Sequence, residues 1–332
     1  MKYIIIDDNN QLYKMMYKDI LKPLKEFNVE EIPREKMGRI LHTIYKIHTA
    51  SRFNQKVQLP FKGIWSRFYG LSEYEFNKSE KYCVIILNGI LWKGYTYKYL
   101  NNLKEKNPNV KLVLVFHDSM KVLCYRKSVE KRLPLFDYIF SFDDEDCCKY
   151  GFSHFYQIFS KPDFVCEDDK YKTDIFMAAN GSSRVKVVHD VFVNLCKVCK
   201  PYVLMTNVDP GDQIIDEGNK TIIYNEPISY RDELQYAYNT NCMLEIVNEG
   251  QSGITLRTVE AVCFNKKLLT NNYMIKNMPF YDTRYMKLIS EMKNIEDYNK
   301  FINDNNEVCY NNHDYFSPVM LLKMIDKRIN MQ

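Results

Sequence analysis

The chain has 332 residues, of which 46% are hydrophobic, and its 46 basic and 42 acidic residues leave a net charge of +4. This length is enough for two domains with separate cores, and the near balance of charges excludes general nucleic-acid binding, so we expect no nucleic-acid partner. The ten cysteines do not form the two C-x2-C pairs of a zinc site, so we expect reduced thiols and no metal. No apolar run approaches about 18 residues and no signal peptide precedes the first strand, so we expect a cytoplasmic protein.

The chain opens on an apolar stretch, residues 2–8, which predicts a buried strand that ends in Asp7 and Asp8. Beyond it, residues 41–71 carry basic and aromatic side chains and no acidic residue. Such a mixture suits peripheral contact with an anionic membrane or with a lipid-linked pyrophosphate acceptor. The alternative is an amphipathic helix and loop that pack on the first domain, with their charges simply solvated. The basic residues are Lys46, Arg52, Lys56, Lys62 and Arg67.

Strands and helices then alternate along the first half of the chain. Apolar runs at 83–87, 110–116 and 138–142 predict strands, and residues 95–106 and 145–150 predict helices. This alternation predicts a doubly wound parallel sheet, in which functional residues follow the carboxyl ends of the strands.

Polar residues follow two of these strands. His117 and Asp118 come directly after the strand at 110–116, and a titratable pair there could act as base on an acceptor hydroxyl or could orient the acceptor. Asp143 follows the next strand. It fits an N-cap of the following helix better than a chemical role, because the acids behind it favour the helix dipole.

A charged stretch at 161–172 predicts the linker to a second alternating region. In that region a strand at 173–179 is followed by Gly181, Arg184 and a helix at 185–199. Glycine lets the backbone approach a diphosphate closely, and the arginine can neutralise the phosphate charge.

Two more strands, at 202–207 and 221–224, precede a helix at 230–238. Tyr230, at the start of that helix, can pack on a nucleobase or cap the helix region. At the end of the chain, residues 315–329 predict an amphipathic helix, with a serine as N-cap and a proline in its first turn.

The most informative stretch is residues 241–272, which predicts a strand at 242–247, a loop at 249–253, a helix at 258–263 and a strand at 267–270. It places a helix N-terminus and free backbone N–H groups at the carboxyl ends of parallel strands, where phosphate groups bind. Thr255 adds a hydroxyl and Arg257 a cation near the helix start. Glu260, about one turn into the helix, can accept hydrogen bonds from two ribose hydroxyls. The set suits a nucleotide-sugar.

This stretch carries the pattern QxGxTxRxxEA at 251–261, followed by KKLxTxN at 266–272, and residues 141–151 carry SFDxxDxxKYG. In these residues the chain resembles bacterial lipopolysaccharide and capsular polysaccharide biosynthesis glycosyltransferases of the GT-B type. The resemblance implies an α/β fold of two Rossmann-like doubly wound domains with a C-terminal crossing helix.

The implied domains are an acceptor-binding domain at 1–165, a nucleotide-sugar donor-binding domain at 166–310, and a helix at 311–332 that packs back on the first domain. In the wider GT-B class a Glu-x7-Glu pair closes the donor site. The second glutamate matches Glu260, whereas the first position is Ser252. Either Glu249 or Gln251 takes that role, or sugar recognition differs.

The resemblance and the residue chemistry together predict the site. The expected donor contacts are Gly181, Arg184, Tyr230, Gln251, Ser252, Gly253, Thr255, Arg257 and Glu260. The expected catalytic residues are His117, Asp118 and Arg257. Cations and helix N-termini would stabilise the leaving diphosphate, and that scheme requires no metal and no cofactor besides the nucleoside-diphosphate sugar itself.

The expected function is therefore that of a metal-independent hexosyltransferase. It would act on a glycan or lipid-linked acceptor in surface polysaccharide biosynthesis (lipopolysaccharide, O-antigen or capsule), at the inner face of the cytoplasmic membrane. Two alternatives stay open, because a fold does not fix a function. One is a non-catalytic nucleotide-sugar or glycan-binding module, and the other is a nucleotide-sugar epimerase.

Overall fold

The computed structural model describes residues 1–6, 10–50, 54, 59–121, 123, 126–214, 222–248, 253–311 and 313–331. The chain forms two compact units, Met1–Tyr156 with Ser317–Gln332, and Gln157–Phe316. Each unit contains a six-stranded sheet, and every strand pair is parallel. The predicted fold class, two doubly wound α/β domains, is confirmed. By this division the predicted linker at 161–172 lies within the second unit.

The first sheet has the strand order β2-β1-β3-β4-β5-β6. Its two central strands are almost completely buried, which explains why they are uninterrupted apolar runs. The sequence pattern identifies four of the strands and misses the polar β2 and the two-residue β6. The strands are β1 (Lys2–Ile6), β2 (Asn28–Ile32), β3 (Tyr82–Leu87), β4 (Val110–Phe116), β5 (Tyr138–Ser141) and β6 (Ser153–His154). Asp7 and Asp8, predicted to end β1, lie outside the described residues.

Seven α-helices connect these strands within the described residues. They are α1 (Gln11–Met16), α2 (Lys18–Leu21), α3 (Arg39–Thr49), α4 (Asn88–Gly94), α5 (Tyr97–Lys106), α6 (Arg126–Glu130) and α7 (Asp144–Tyr150). Asp143 is the N-cap of α7, because its side chain accepts from the backbone N–H of Asp146 at 3.0 Å. The interpretation of Asp143 as a cap is confirmed.

The second sheet has the order β12-β11-β10-β7-β8-β9. Its strands are β7 (Thr173–Asn180), β8 (Pro201–Thr206), β9 (Ile223–Tyr224), β10 (Thr240–Glu245), β11 (Lys267–Thr270) and β12 (Met286–Leu288). Its α-helices are α8 (Val185–Leu195), α9 (Tyr230–Asn239), α10 (Leu256–Cys263) and α11 (Ile295–Ile302). The strand order reverses between β7 and β10, and such a switch point opens a crevice at the carboxyl ends of the strands.

The last helix, α12 (Pro318–Asn330), belongs to the first unit. Ser317 caps it, as predicted, and Leu321 and Leu322 are buried. The hydroxyl of Tyr3 on β1 donates to Asp326, and α12 also contacts α2. The chain therefore returns to its first sheet after completing the second unit.

Residues 41–71 contain α3 and a 3-10 helix at Lys62–Tyr69. Tyr45, Trp65 and Phe68 form a small buried cluster there, so one face of this region packs on the protein. The other face of α3 is exposed: Ile40 is 80% exposed, and Ile44 and Ile47 are 50% and 53% exposed. The predicted basic residues Arg52 and Lys56 lie outside the described residues. Across the described ranges, no helix combines the length and the apolar character needed to span a membrane.

Candidate functional site

A cavity of about 220 Å³ lies at the switch point of the second sheet. It is lined by the ends of β7 and β10 and by the start of α10. The lining residues are Met177, Ala178, Ala179, Asn180, Arg184, Leu244, Glu245, Ile246, Thr255, Leu256 and Arg257. Parallel doubly wound sheets bind their ligands at this position. Arg184, Thr255 and Arg257, three of the predicted donor contacts, therefore surround one opening.

Arg184 spans the switch point from its place just before α8. Its guanidinium donates to the backbone carbonyl of Asn180 at the end of β7 and to that of Ile246 just after β10. Burial lowers the pKa of Arg184, and the nearby carboxylate of Glu245 opposes that effect. The result is a cation held rigidly between the two strands that border the cavity.

Gly181 lies three residues earlier, at the end of β7. Its φ of +108° is a conformation that side chains rarely allow, and its N–H donates to the carbonyl of Thr206 at 3.0 Å. A Cβ added to Gly181 would meet no atom within 4 Å. Glycine is required here for the backbone turn, and the same turn leaves space beside the backbone.

Glu245 is a functional candidate that the sequence analysis missed. It ends β10, is only 2% exposed, and accepts hydrogen bonds from the hydroxyls of Thr255, Thr258 and Thr270. Thr258 and Thr270 donate at 2.8 and 2.6 Å. The signal available in the sequence was an acid within the apolar run at 242–247, a run that predicts a strand but no role for this side chain.

Thr255 is the N-cap of α10, where its hydroxyl oxygen accepts from the backbone N–H of Arg257 at 3.1 Å. The helix therefore begins at Leu256, two residues earlier than predicted. Gly253, just upstream, is buried, and its carbonyl accepts from the side-chain amide of Asn272 at 3.2 Å. The predicted contacts Gln251 and Ser252, with Glu249, lie outside the described residues.

Arg257 faces a second cluster, formed by α9 and α10. Its guanidinium bridges the carboxylates of Glu233, at 2.6 Å, and Glu260. Burial opposes the charge of Arg257, but the two carboxylates outweigh burial and raise its pKa. Arg257 therefore remains a cation and holds the two helices together.

Glu260 is fully buried. One carboxylate oxygen accepts from the hydroxyl of Tyr230 at 3.0 Å, and the other accepts from Arg257. Burial raises the pKa of Glu260 to about 7, since Glu233 adds to it and Arg257 only partly opposes it. A ribose contact from Glu260 stays a prediction, and in this structure both oxygens already have protein partners.

Tyr230 is the first residue of α9, and burial raises the pKa of its hydroxyl well above the ordinary value. The N-cap of that helix is Ser229, whose hydroxyl accepts from the N–H of Asp232 at 3.1 Å. Tyr230 therefore does not cap the helix itself. Its contact with Glu260 links the starts of α9 and α10.

The pair predicted as base lies in the first unit, directly after β4. Asn88, buried at the end of β3, donates to a carboxylate oxygen of Asp118 at 2.9 Å and accepts from the backbone N–H of His117 at 2.9 Å. The Nε2 of His117 is 2.7 Å from the hydroxyl of Tyr17. Asp118 is exposed, so its other oxygen can reach a ligand.

A larger cavity of about 790 Å³ lies elsewhere in the second unit, along the edge strand β12 and helix α11. Size alone would favour it as the main site. Its lining contains as many acidic as basic side chains, and it lies away from the switch point between β7 and β10, so we regard the smaller cavity as the better candidate. Among the described residues, no group of three or more His, Cys, Asp or Glu side chains could hold a metal ion.

No protein-family model and no curated protein matches this sequence, but solved structures match its fold. An alpha-glucosyltransferase in complex with UDP and a 13-mer DNA containing an HMU base is 12% identical, with a TM-score of 0.57 and 99% of both chains covered. A protein from Listeria monocytogenes assigned as a UDP-N-acetylglucosamine 2-epimerase is 10% identical, with a TM-score of 0.53, over 100% of this chain and 97% of that chain.

The N-terminal domain of Candida albicans trehalose-6-phosphate phosphatase is also 10% identical, with a TM-score of 0.54, over 99% of this chain and 92% of that chain. At such low identities the likeness establishes the fold alone. The chain has the GT-B-like architecture of two Rossmann-like domains.

Proposed function

We propose that this chain is a glycosyltransferase that moves a hexosyl group from a nucleoside-diphosphate sugar to a glycan or lipid-linked acceptor. The observation that carries the proposal is the cavity at the switch point between β7 and β10. There the Arg184 cation and the capped N-terminus of α10 converge, next to the Gly181 turn that follows the lining residue Asn180. A cation and a helix N-terminus both favour phosphate oxygens. Because a structure of similar fold was solved with UDP, UDP is the first nucleotide to test.

The chemistry proposed for this site is electrostatic. When the bond between sugar and diphosphate breaks, negative charge develops on the leaving diphosphate, and fixed donors aimed at that charge lower the barrier. We propose this role for Arg184 and for the first N–H groups of α10. Arg257, which is tied to Glu233 and Glu260, would act mainly by holding α10 in position. The cavity is smaller than the roughly 300–1,000 Å³ of typical ligand sites, so it suits the diphosphate part of a donor.

The acceptor is proposed to bind the first unit, where Asp118 offers an exposed carboxylate beside His117. Asn88 fixes that carboxylate through one oxygen, which leaves the other to accept the proton of an acceptor hydroxyl or to orient it. His117, which is paired with Tyr17, would position the acceptor from the same strand end.

A role in surface polysaccharide assembly, with peripheral contact between residues 41–71 and an anionic membrane, is part of the proposal. It is supported by the exposed isoleucines of α3, by Phe61, which is 81% exposed, and by the exposed cations Lys46 and Arg67 nearby. Apolar side chains surrounded by cations suit an anionic lipid surface.

An epimerase is the second candidate, favoured by the likeness to a protein assigned as a UDP-N-acetylglucosamine 2-epimerase. The assay that separates the candidates is incubation of the purified chain with a nucleotide-sugar alone. A transferase slowly releases free sugar to water, an epimerase returns an isomeric donor, and a binding module changes nothing.

The first experiment is thermal unfolding with UDP, GDP, ADP and their sugars, because a ligand that binds only the folded state raises its melting temperature. We expect one nucleotide to raise it and Arg184→Gln to abolish the shift. The matched control is Lys300→Gln, which neutralises a cation lining the larger cavity. If Lys300→Gln lost the shift and Arg184→Gln kept it, the site would have been assigned to the wrong cavity. A chain that binds none of these ligands would refute the proposal.

A further inference from the structure

Three threonine hydroxyls converge on one buried carboxylate at the candidate site. Glu245 accepts from Thr255 and Thr258 through one oxygen and from Thr270 through the other. Two features of the fold bring them together. Glu245 and Thr270 are paired directly across β10 and β11, and Thr255 and Thr258 are three residues apart, on one face at the start of α10.

The charge of the carboxylate determines where the hydroxyl hydrogens point. A carboxylate can only accept, so each threonine must donate its hydrogen to Glu245. The lone pairs of Thr255 are then free to accept from the N–H of Arg257, and those of Thr270 accept from the N–H of Asn272 at 2.9 Å. Asn272 in turn donates to the carbonyl of Gly253. One carboxylate thus orients both anchors of the segment from Gly253 to Thr255.

We propose that Glu245 is the positioning residue of the nucleotide site. By fixing the hydroxyl of Thr255, it holds the first turn of α10 so that the N–H groups of that turn face the diphosphate. This inference rests on the proposed function. The negative charge is compatible with an anion site because Glu245 is 2% exposed and directed at hydroxyls, while Arg184 provides a cation on the same cavity.

The test compares UDP affinity, or that of the nucleotide selected by thermal unfolding, in the parent and five variants at a temperature where each is folded. Glu245→Gln keeps the shape but replaces one acceptor oxygen by a donor, and Thr255→Val removes the cap hydroxyl. We expect each to weaken binding roughly tenfold, about one well-aligned hydrogen bond. The double variant should bind UDP no more weakly than either single variant, because both substitutions remove the same fixed orientation of the Thr255 hydroxyl.

The matched control is Thr258→Val, which removes another hydroxyl from the same carboxylate oxygen but leaves the cap intact. Its stability should fall, while its UDP affinity should stay within about twofold of the parent, since a loss of one hydrogen bond inside α10 does not turn the helix start. Thr255→Ser keeps the hydroxyl and should bind UDP as the parent does, in contrast to Thr255→Val. This comparison remains available even if Glu245→Gln fails to fold.

Three results would overturn the inference. Glu245→Gln could bind UDP as tightly as the parent, its effect could add to that of Thr255→Val, or Thr258→Val could weaken binding equally. Failure of the parent itself to bind UDP, GDP or ADP is a different result, because it refutes the proposed function and with it the role of Glu245.

Discussion

At Glu260 two acidic side chains share one guanidinium inside the protein. Glu233 and Glu260 both contact Arg257, and Glu260 is fully buried. A single cation cannot fully compensate two carboxylates in a medium of low dielectric, so one of them holds its proton more tightly. Burial, with the added repulsion from Glu233, raises the pKa of Glu260 to about 7. The physical consequence is a protonation equilibrium near neutral pH within the contact between α9 and α10.

This equilibrium predicts a pH-dependent stability. The pKa of Glu260 rises from 4.5 to about 7 on folding, so the folded state binds the proton more tightly than the unfolded state. The contribution of that proton to stability is complete below pH 4.5 and is lost as the pH rises to about 7. We expect the parent to lose on the order of 2–3 kcal/mol relative to Glu260→Gln over this range. Urea unfolding at several pH values measures it, and parallel curves for the two proteins would contradict the prediction.

At the scale of an element, helix α3 carries an apolar face that the described residues leave open. Ile40, Ile44 and Ile47 recur at helical spacing on its exposed side, while Tyr45 and Thr49 are buried on the other. An amphipathic surface helix normally turns its apolar stripe toward a core. Here large apolar side chains occupy both sides, which is why this face is the best candidate for the proposed membrane contact.

The prediction for α3 concerns binding to vesicles. We expect the parent to sediment with anionic phosphatidylglycerol vesicles. The double substitution Ile44→Gln with Ile47→Gln should reduce this binding at least tenfold, because each isoleucine that enters the membrane contributes about 1.5–3 kcal/mol. The matched control is Val187→Gln with Val193→Gln, which removes two exposed aliphatic side chains from α8.

Equal binding by both double variants would show that α3 is not the contact. Since the replaced side chains are exposed, unfolding free energies should change by no more than about 0.5 kcal/mol each.

A DNA duplex in place of vesicles tests the expectation of no nucleic-acid partner. Tight DNA binding that the α3 variants weaken would favour a nucleic-acid surface instead.

At the scale of the whole molecule, the two units differ in how the chain builds them. The second is one continuous segment, Gln157–Phe316, and has a core of its own around β7, β8, β10 and α8. The first is assembled from two segments, since α12 joins it from the end of the chain. All the described residues that line the cavity at the switch point lie in the second unit.

This arrangement predicts that a fragment of residues 157–316 unfolds cooperatively. The nucleotide that raises the melting temperature of the full chain should also raise that of the fragment. A fragment of residues 1–156 should be much less stable, because it lacks the buried Leu321, Leu322 and Ile325 of α12. Calorimetry of both fragments measures this. A molten 157–316 fragment, or a fully stable 1–156 fragment, would contradict the division.

Local patterns were sufficient for most of the architecture. The strands β3 and β4 are runs of mainly apolar residues, and the helices α7 and α12 are capped by Asp143 and Ser317, so hydrophobic period and capping chemistry predict them from neighbours in the chain. The sequence pattern does not predict strands β2, β6 and β12, because a few partly polar residues show no clear hydrophobic alternation.

The site divides in the same way. The sequence by itself determined that a glycine, an arginine and a helix follow the strands of the second sheet, because each depends on adjacent residues. Only the tertiary structure decided which side chains those groups meet. Glu245 finds its hydroxyl partners 10, 13 and 25 residues away, and Glu260 meets Tyr230 30 residues before it. Such contacts depend on strand register and helix packing, which bring distant residues together and cannot be recognised from the neighbouring residues in the sequence.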